Sequence, residues 1–132
     1  MIRRRQVYSA SPFEPQFGFC RAMKIGNVIH VAGTAPIGKN GKTIGVGNPT
    51  EQARRCFDII GESLTALGAS YVDVVRTRMF LTRIADWSEI GNVHGEYFRD
   101  INPVSTMVEV SGLIDPDWLV EIEAEALLGT SD

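Results

Sequence analysis

At 132 residues and 44% hydrophobic content, the chain is long enough to build one real core and too short for two, so residues 1–132 are expected to form a single domain. A net charge of −3 lacks the basic footprint of a dedicated nucleic-acid binder. Cys20 and Cys56, widely spaced and beside no His cluster, fit neither a disulfide framework nor a zinc site; both are expected to be free, small hydrophobes in a reducing compartment. No apolar run is long enough to span a bilayer and none follows the charged N-terminus, so a cytoplasmic protein with no membrane association and no signal peptide is expected.

In chain order, Ile2 to Tyr8 reads as a strand whose Arg3, Arg4 and Arg5 form a solvated edge rather than a binding patch. Pro12 and Pro15 mark the next stretch as irregular. Two strand-like runs, Phe19 to Ile25 and Val28 to Ala32, flank Gly26-Asn27, a pair suited to a two-residue hairpin turn. The Gly-, Asn- and Lys-rich segment from Gly33 to Gly47 reads as an exposed loop.

The period then changes. Asn48 caps a helix, Pro49 opens it, and Glu51 is placed to reach back to the cap amide. Ala53, Cys56, Phe57, Ile60, Leu64 and Leu67 follow at helical spacing, and Gly68 supplies a left-handed stop. Val74 to Thr82 alternates as a strand, with Val75, Met79 and Leu81 opposite Arg76, Arg78 and Phe80. Asp86 and Glu89 repeat the capping pattern ahead of a second helical stripe of Trp87, Ile90, His94, Tyr97 and Phe98. Pro103 opens a strand from Val104 to Val110, residues 114–117 turn, and Leu119 to Leu128 alternates Val120, Ile122, Ala124 and Ala126 against Glu121, Glu123 and Glu125.

The order β-β-β-α-β-α-β-β gives an α+β fold: a mixed sheet of about six strands with two helices on one face. Met107, Phe80 and Phe19 are expected to project from the uncovered face, which self-association in a closed cyclic oligomer would bury.

An ordered set of residues also carries a resemblance: Arg21-Ala22, Gly26-Asn27, Val31-Ala32-Gly33-Thr34-Ala35-Pro36, Glu51-Gln52-Ala53, Val108-Glu109-Val110 and Val120-Glu121-Ile122-Glu123-Ala124. Over nearly its whole length the chain resembles the RidA/YjgF superfamily. The resemblance implies a chorismate-mutase-like fold and a homotrimer whose sheets line a central barrel. It implies a ligand cleft at each subunit interface and hydrolysis of reactive imines or enamines to carbonyl products and ammonia, with no cofactor. Older labels for relatives include endoribonuclease and translation inhibitor.

The family's deaminase subgroup holds its substrate carboxylate with an Arg two residues after the Pro that opens the penultimate strand. Here Pro103-Val104-Ser105-Thr106 puts Ser105 at that position, and a neutral hydroxyl replaces a charge-assisted bidentate clamp. The site Tyr aligns with Phe19, a helix Asn with Gly91, and the cleft Cys with Met107; Glu121 alone is retained. The resemblance therefore points to a divergent branch rather than a standard 2-iminoacid deaminase.

The candidate ligand-binding residues are Phe19, Arg21, Gly33, Ser105 and Met107, and the candidate catalytic residue is Glu121. Arg21, two residues from Phe19 on one strand face, either replaces the missing cation or forms a salt bridge; Arg78 is the alternative replacement. Glu121 either orients a water at an imine carbon or pairs with an Arg across the trimer interface. Gly33 either lets a ligand or strand approach closely or simply ends a strand. His94 reads as an interfacial histidine rather than a base or metal ligand, His30 stands alone, and no metal site is indicated. Ser105 as a nucleophile requires a base beside it. Trp87 and Trp118 read as packing anchors. Three functions follow: hydrolysis of an imine, enamine or related small metabolite, with a 2-oxo or 2-imino acid as the possible ligand; a ligand-binding or protein-interaction trimer without chemistry; and, by family label only, a ribonuclease.

Overall fold

The computed structural model describes residues 1–131. Its strands are β1 (Arg4–Val7), β2 (Ala22–Ile25), β3 (Val28–Thr34), β4 (Val74–Leu81), β5 (Val104–Glu109) and β6 (Val120–Leu127); its helices are α1 (Phe13–Phe17), α2 (Pro49–Ala66) and α3 (Trp87–Phe98). They form one six-stranded sheet in the order β1-β2-β3-β6-β4-β5, in which only β4 and β5 run parallel. The α+β mixed sheet is the expected one, and the long helices α2 and α3 lie over the same core.

The hairpin forms where expected. Gly26 adopts a φ of 60°, which a side chain resists, and Ile25 pairs directly with Val28 across the turn. Strand β2 starts at Ala22, later than the pattern suggested. The proline-containing stretch is not irregular: it forms α1, with Pro12 at the N-cap and Pro15 in the first turn, where a missing N–H removes no intrahelical bond. Gly18, at φ 76°, closes the helix by donating its N–H to the Glu14 carbonyl. This single turn directs Glu14 into the interior.

Helix α2 begins as its sequence dictates, with Asn48 Oδ1 accepting the Glu51 N–H at 3.1 Å. The reciprocal half of the capping box is absent, because the Asn48 N–H donates to the Gly45 carbonyl at 2.8 Å. Asn48→Ala is expected to cost about 1 kcal/mol of stability, readable as a lower urea midpoint at unchanged slope. One turn in, Gln52 is wholly buried and ties three segments together: its amide donates to Gly45 and Asp117 carbonyls at 3.2 and 2.8 Å and accepts the Leu119 N–H at 2.8 Å. Ala53, Phe57, Ile60 and Leu64 pack down on Ile29, Val31, Val120 and Ile122 of the sheet, completing the core with Leu81, Val93 and Phe98.

Other expectations need correction. In β4 it is Val74, not Val75, that faces the core, because a bulge between Val74 and Arg76 inserts one unpaired residue against β6 and resets the alternation. Asp86 occupies the N-cap position of α3 as expected, but its side chain makes no cap bond; it ends a 3₁₀ turn and its carboxylate pairs with Arg83 Nε at 3.1 Å. Trp118 is the buried anchor, edge-on to Phe13 and donating to Thr43 Oγ1, whereas Trp87 is 60% exposed. Met107 is in register with core residue Met79 and lies beneath Gly91 of α3, so it faces the helices and not the open side.

The open face divides into two halves. Toward β3 and β6 it carries a ladder of ion pairs: Arg78 reaches Glu125 and Glu123 at 3.1 and 3.5 Å, Arg76 reaches Glu125 at 3.9 Å, and His30 lies 4.0 Å from Glu125. Toward β5 it presents Phe80, in register with Val108, and the exposed Val104.

Candidate functional site

The fold sorts the candidate residues into two groups. The first forms around the β3 bulge, where the pairing with β6 shifts between Val31 and Thr34. Glu121 comes from β6. The carboxylate Oε1 lies only 2.5 Å from where a Gly33 side chain would begin, so the glycine is what seats the carboxylate. Of the two roles weighed for Gly33, close approach is the one observed, and the approaching group is Glu121; an alanine there must drive it from its seat. Burial pushes the Glu121 carboxyl above the usual carboxylate range, and the nearby Arg21 guanidinium opposes that shift. Such an acid exchanges protons closer to neutrality than an exposed glutamate does.

Arg21 is 4% exposed, which is far from a solvated salt bridge. Its Nη1 donates to the Gly33 carbonyl at 2.9 Å, and its Nε lies 3.5 Å from the carboxylate of Glu14, itself 1% exposed. Glu14 accepts further hydrogen bonds from the Ser9 amide, at 2.8 Å, and from the Ser9 hydroxyl. Burial draws the guanidinium below its ordinary value, while Glu14 and Glu121 hold it charged. Arg21 is thus held inside the fold by one hydrogen bond to the strand that carries Gly33 and by its ion pair with Glu14, while its buried Nε makes no hydrogen bond. Phe19, 39% exposed, lies with its ring centroid 5.8 Å from the Arg21 guanidinium carbon, at the margin of cation–π range. The other candidate cation, Arg78, is engaged by Glu123 and Glu125 on the open face.

The second group lies on β5, the edge strand, separated from β6 by β4. Ser105 is in register with the fully buried Thr77, whose hydroxyl is 2.8 Å from Ser105 Oγ and 2.8 Å from Nε2 of His94 on α3. Beside Ser105 on the same side of the strand is Met107, its methyl group 3.9 Å from the position a Gly91 side chain would take. The groups hydrogen-bonded in line with Ser105 are a hydroxyl and an imidazole, neither of them a fixed cation.

Glu121 and Ser105 therefore do not meet within one chain. By strand alternation Glu121 shares the open side with Glu123 and Glu125, whereas Ser105 shares the helix-covered side with Thr77. The partners the fold supplies, Glu14 for Arg21 and Thr77 with His94 behind it for Ser105, were not legible as such in the sequence. The position of Glu14 between Pro12 and Pro15, in a turn that favours helix initiation, was the available signal for the first.

Both cysteines are free, and burial pushes the Cys56 thiol far up, leaving it inert. Among the described residues no three His, Cys, Asp or Glu side chains cluster to hold a metal ion, and no helix is long and apolar enough to cross a membrane.

The fold thus presents a half-buried carboxylate held over a glycine bulge, on an α+β mixed sheet backed by two helices. The chain belongs to the RidA/YjgF superfamily: the family model described as Endoribonuclease L-PSP matches residues 9–128. It is 34% identical to the 3-aminoacrylate deaminase RutC of Acinetobacter baylyi, over 85% of this chain and 88% of that protein. It is 35% identical to a RutC family protein of Pyrococcus abyssi, over 91% and 94%. Among solved structures, a YjgF/YER057c/UK114 family member from Mycobacterium tuberculosis superposes with a TM-score of 0.86 at 42% identity, covering 96% of this chain and all of that one.

Proposed function

We propose that the chain forms a closed homotrimer in which the Glu121 group of one copy faces the Ser105 group of the next, and that this cleft hydrolyses an imine or enamine to a carbonyl compound and ammonia. The observation that carries the reading is Glu121, a carboxylate raised in pKa by burial and seated by Gly33. Such a group takes a proton from water as it adds to an imine carbon and returns it to the departing nitrogen. The likeness to RutC, a 3-aminoacrylate deaminase, supports the same chemistry. The trimer is supported by the separation of the two groups on opposite sides of one sheet, and by the exposed Val104 and Val108 on the edge strand beside the half-buried Phe80. Ser105 in place of a cation, with Arg21 committed to Glu14, favours an imine bound through a neutral acceptor over a carboxylate clamped by two charge-assisted bonds. We place the reaction in the cytoplasm, where two free thiols persist.

The committed Arg21 also favours a second reading, a trimer that binds a small ligand without transforming it. A ribonuclease role draws on the family description alone, and the net charge of −3 opposes it. The test generates a carboxylate-free ketimine from a branched primary amine with a flavin-dependent amine oxidase and traps surviving imine with semicarbazide. Added protein is expected to lower the semicarbazone yield, with light scattering giving three chains per particle. Unchanged trapping favours the binding reading, and a stable monomer overturns both.

A further inference from the structure

The hydroxyl–hydroxyl–imidazole series on β4, β5 and α3 is not used by any step above. We propose that Thr77 is a proton relay joining Ser105, the group that meets the ligand, to His94. This inference rests on the imine-hydrolase reading and adds a route for the second proton of that reaction.

The Thr77 hydroxyl holds one proton and has two partners, each at 2.8 Å, and the residue is fully buried, so no solvent competes. If Thr77 donates to Ser105, His94 must present an N–H at Nε2; if Thr77 donates to Nε2, Ser105 donates to Thr77. The two bonds reverse together. The state of the imidazole thereby sets whether the exposed Ser105 hydroxyl offers the ligand a lone pair or a proton.

His94 is suited to accept. Its ring packs edge-on against Phe57 of α2 and tilted against Phe98 of its own helix, and burial alone lowers its pKa, which leaves the imidazole neutral at pH 7. Of the charged and titratable groups on the flanking helices, Asp58 bonds the Tyr97 hydroxyl, Arg54 pairs with Glu96, Arg55 pairs with Glu62, and Arg99 folds back toward Gly95. Strands β4 and β5 face it with hydroxyls only, Thr77 and Ser105.

Water adds to the iminium carbon and loses a proton to Glu121, giving a neutral carbinolamine. Glu121 returns that proton to the nitrogen. As the C–N bond breaks and its electron pair leaves with ammonia, the hydroxyl oxygen forms the C=O bond and passes its proton to Ser105 Oγ. The Ser105 proton moves to Thr77, and the Thr77 proton moves to His94 Nε2. The imidazolium then releases its Nδ1 proton to solvent. Ser105 touches the substrate, while Thr77 and His94 act through it as positioning residues.

The experiment measures kcat/KM for the same carboxylate-free ketimine against pH in the full chain and in T77V, T77S and H94Q. Wild type needs both Glu121 and His94 unprotonated, so log kcat/KM is expected to fall on the acid side with a limiting slope of about 2, and in H94Q with a slope of about 1. T77V, similar in shape but without a hydroxyl, is expected to lose about 10²-fold in kcat and to show the single slope, while T77S restores both rate and slope. A T77V enzyme with wild-type rate and slope overturns the relay and leaves the hydrolase reading standing. Should T77V fail to fold, H94Q decides: an unchanged slope overturns the relay. No turnover by wild type overturns the hydrolase reading and the relay with it.

Discussion

Glu14→Ala is expected to destabilise the protein by about 3–5 kcal/mol, measured by urea or guanidinium unfolding, because it leaves the Arg21 guanidinium charged, buried and unpaired. The partners are 1% and 4% exposed, and the substitution also deprives the Ser9 amide and hydroxyl of their acceptor. Replacing both charges, as Glu14→Leu with Arg21→Met, is expected to recover most of the loss, since the cost lies in the orphaned charge and not in the pair itself. A loss below about 1 kcal/mol in the single variant, the range of an exposed pair, would mean that Arg21 is not structurally committed and would revive it as an anion site.

Glu121→Gln separates chemistry from architecture. It keeps the size of the side chain over Gly33 while removing the charge, and turnover is expected to fall by about 10²- to 10⁴-fold. Stability is expected to hold or rise. The folded-state pKa of Glu121 is raised, so the folded protein holds that proton more tightly than the unfolded chain, and the ionised form is a cost at neutral pH. That cost is fully present above the folded pKa and is relieved as pH falls through it toward the unfolded value. Glu121→Gln should therefore exceed wild type in stability at pH 7 and lose that margin at pH 4, a comparison that thermal melts at the two pH values provide. A variant that kept its turnover but lost stability or trimer would instead assign Glu121 to an interface ion pair.

The two variants probe different parts of one arrangement. Arg21 holds the Gly33 carbonyl, Gly33 makes room for Glu121, and Glu14 keeps Arg21 charged in the interior. The functional carboxylate rests on a buried ion pair that has no contact with substrate in the proposed reaction.

What the sequence determined by itself was local. Asn48-Pro49 starts α2, Gly68 at φ 81° follows its end, Gly26-Asn27 turns the hairpin, and the strict alternation of β6 fixes which side carries the glutamates. Each depends on contacts within a few residues or on a period that the chain repeats several times. The tertiary structure alone decided the rest. The β4 bulge arises from pairing with β6 and leaves no mark on the strand's own composition. Burial turned Arg21 from a surface candidate into an internal anchor because its partner Glu14 sits on a one-turn helix too short to show a period. Thr77 joins groups 28 and 17 positions away, a conjunction that depends on the parallel register of β5 and the seating of α3, and only folding brings those together.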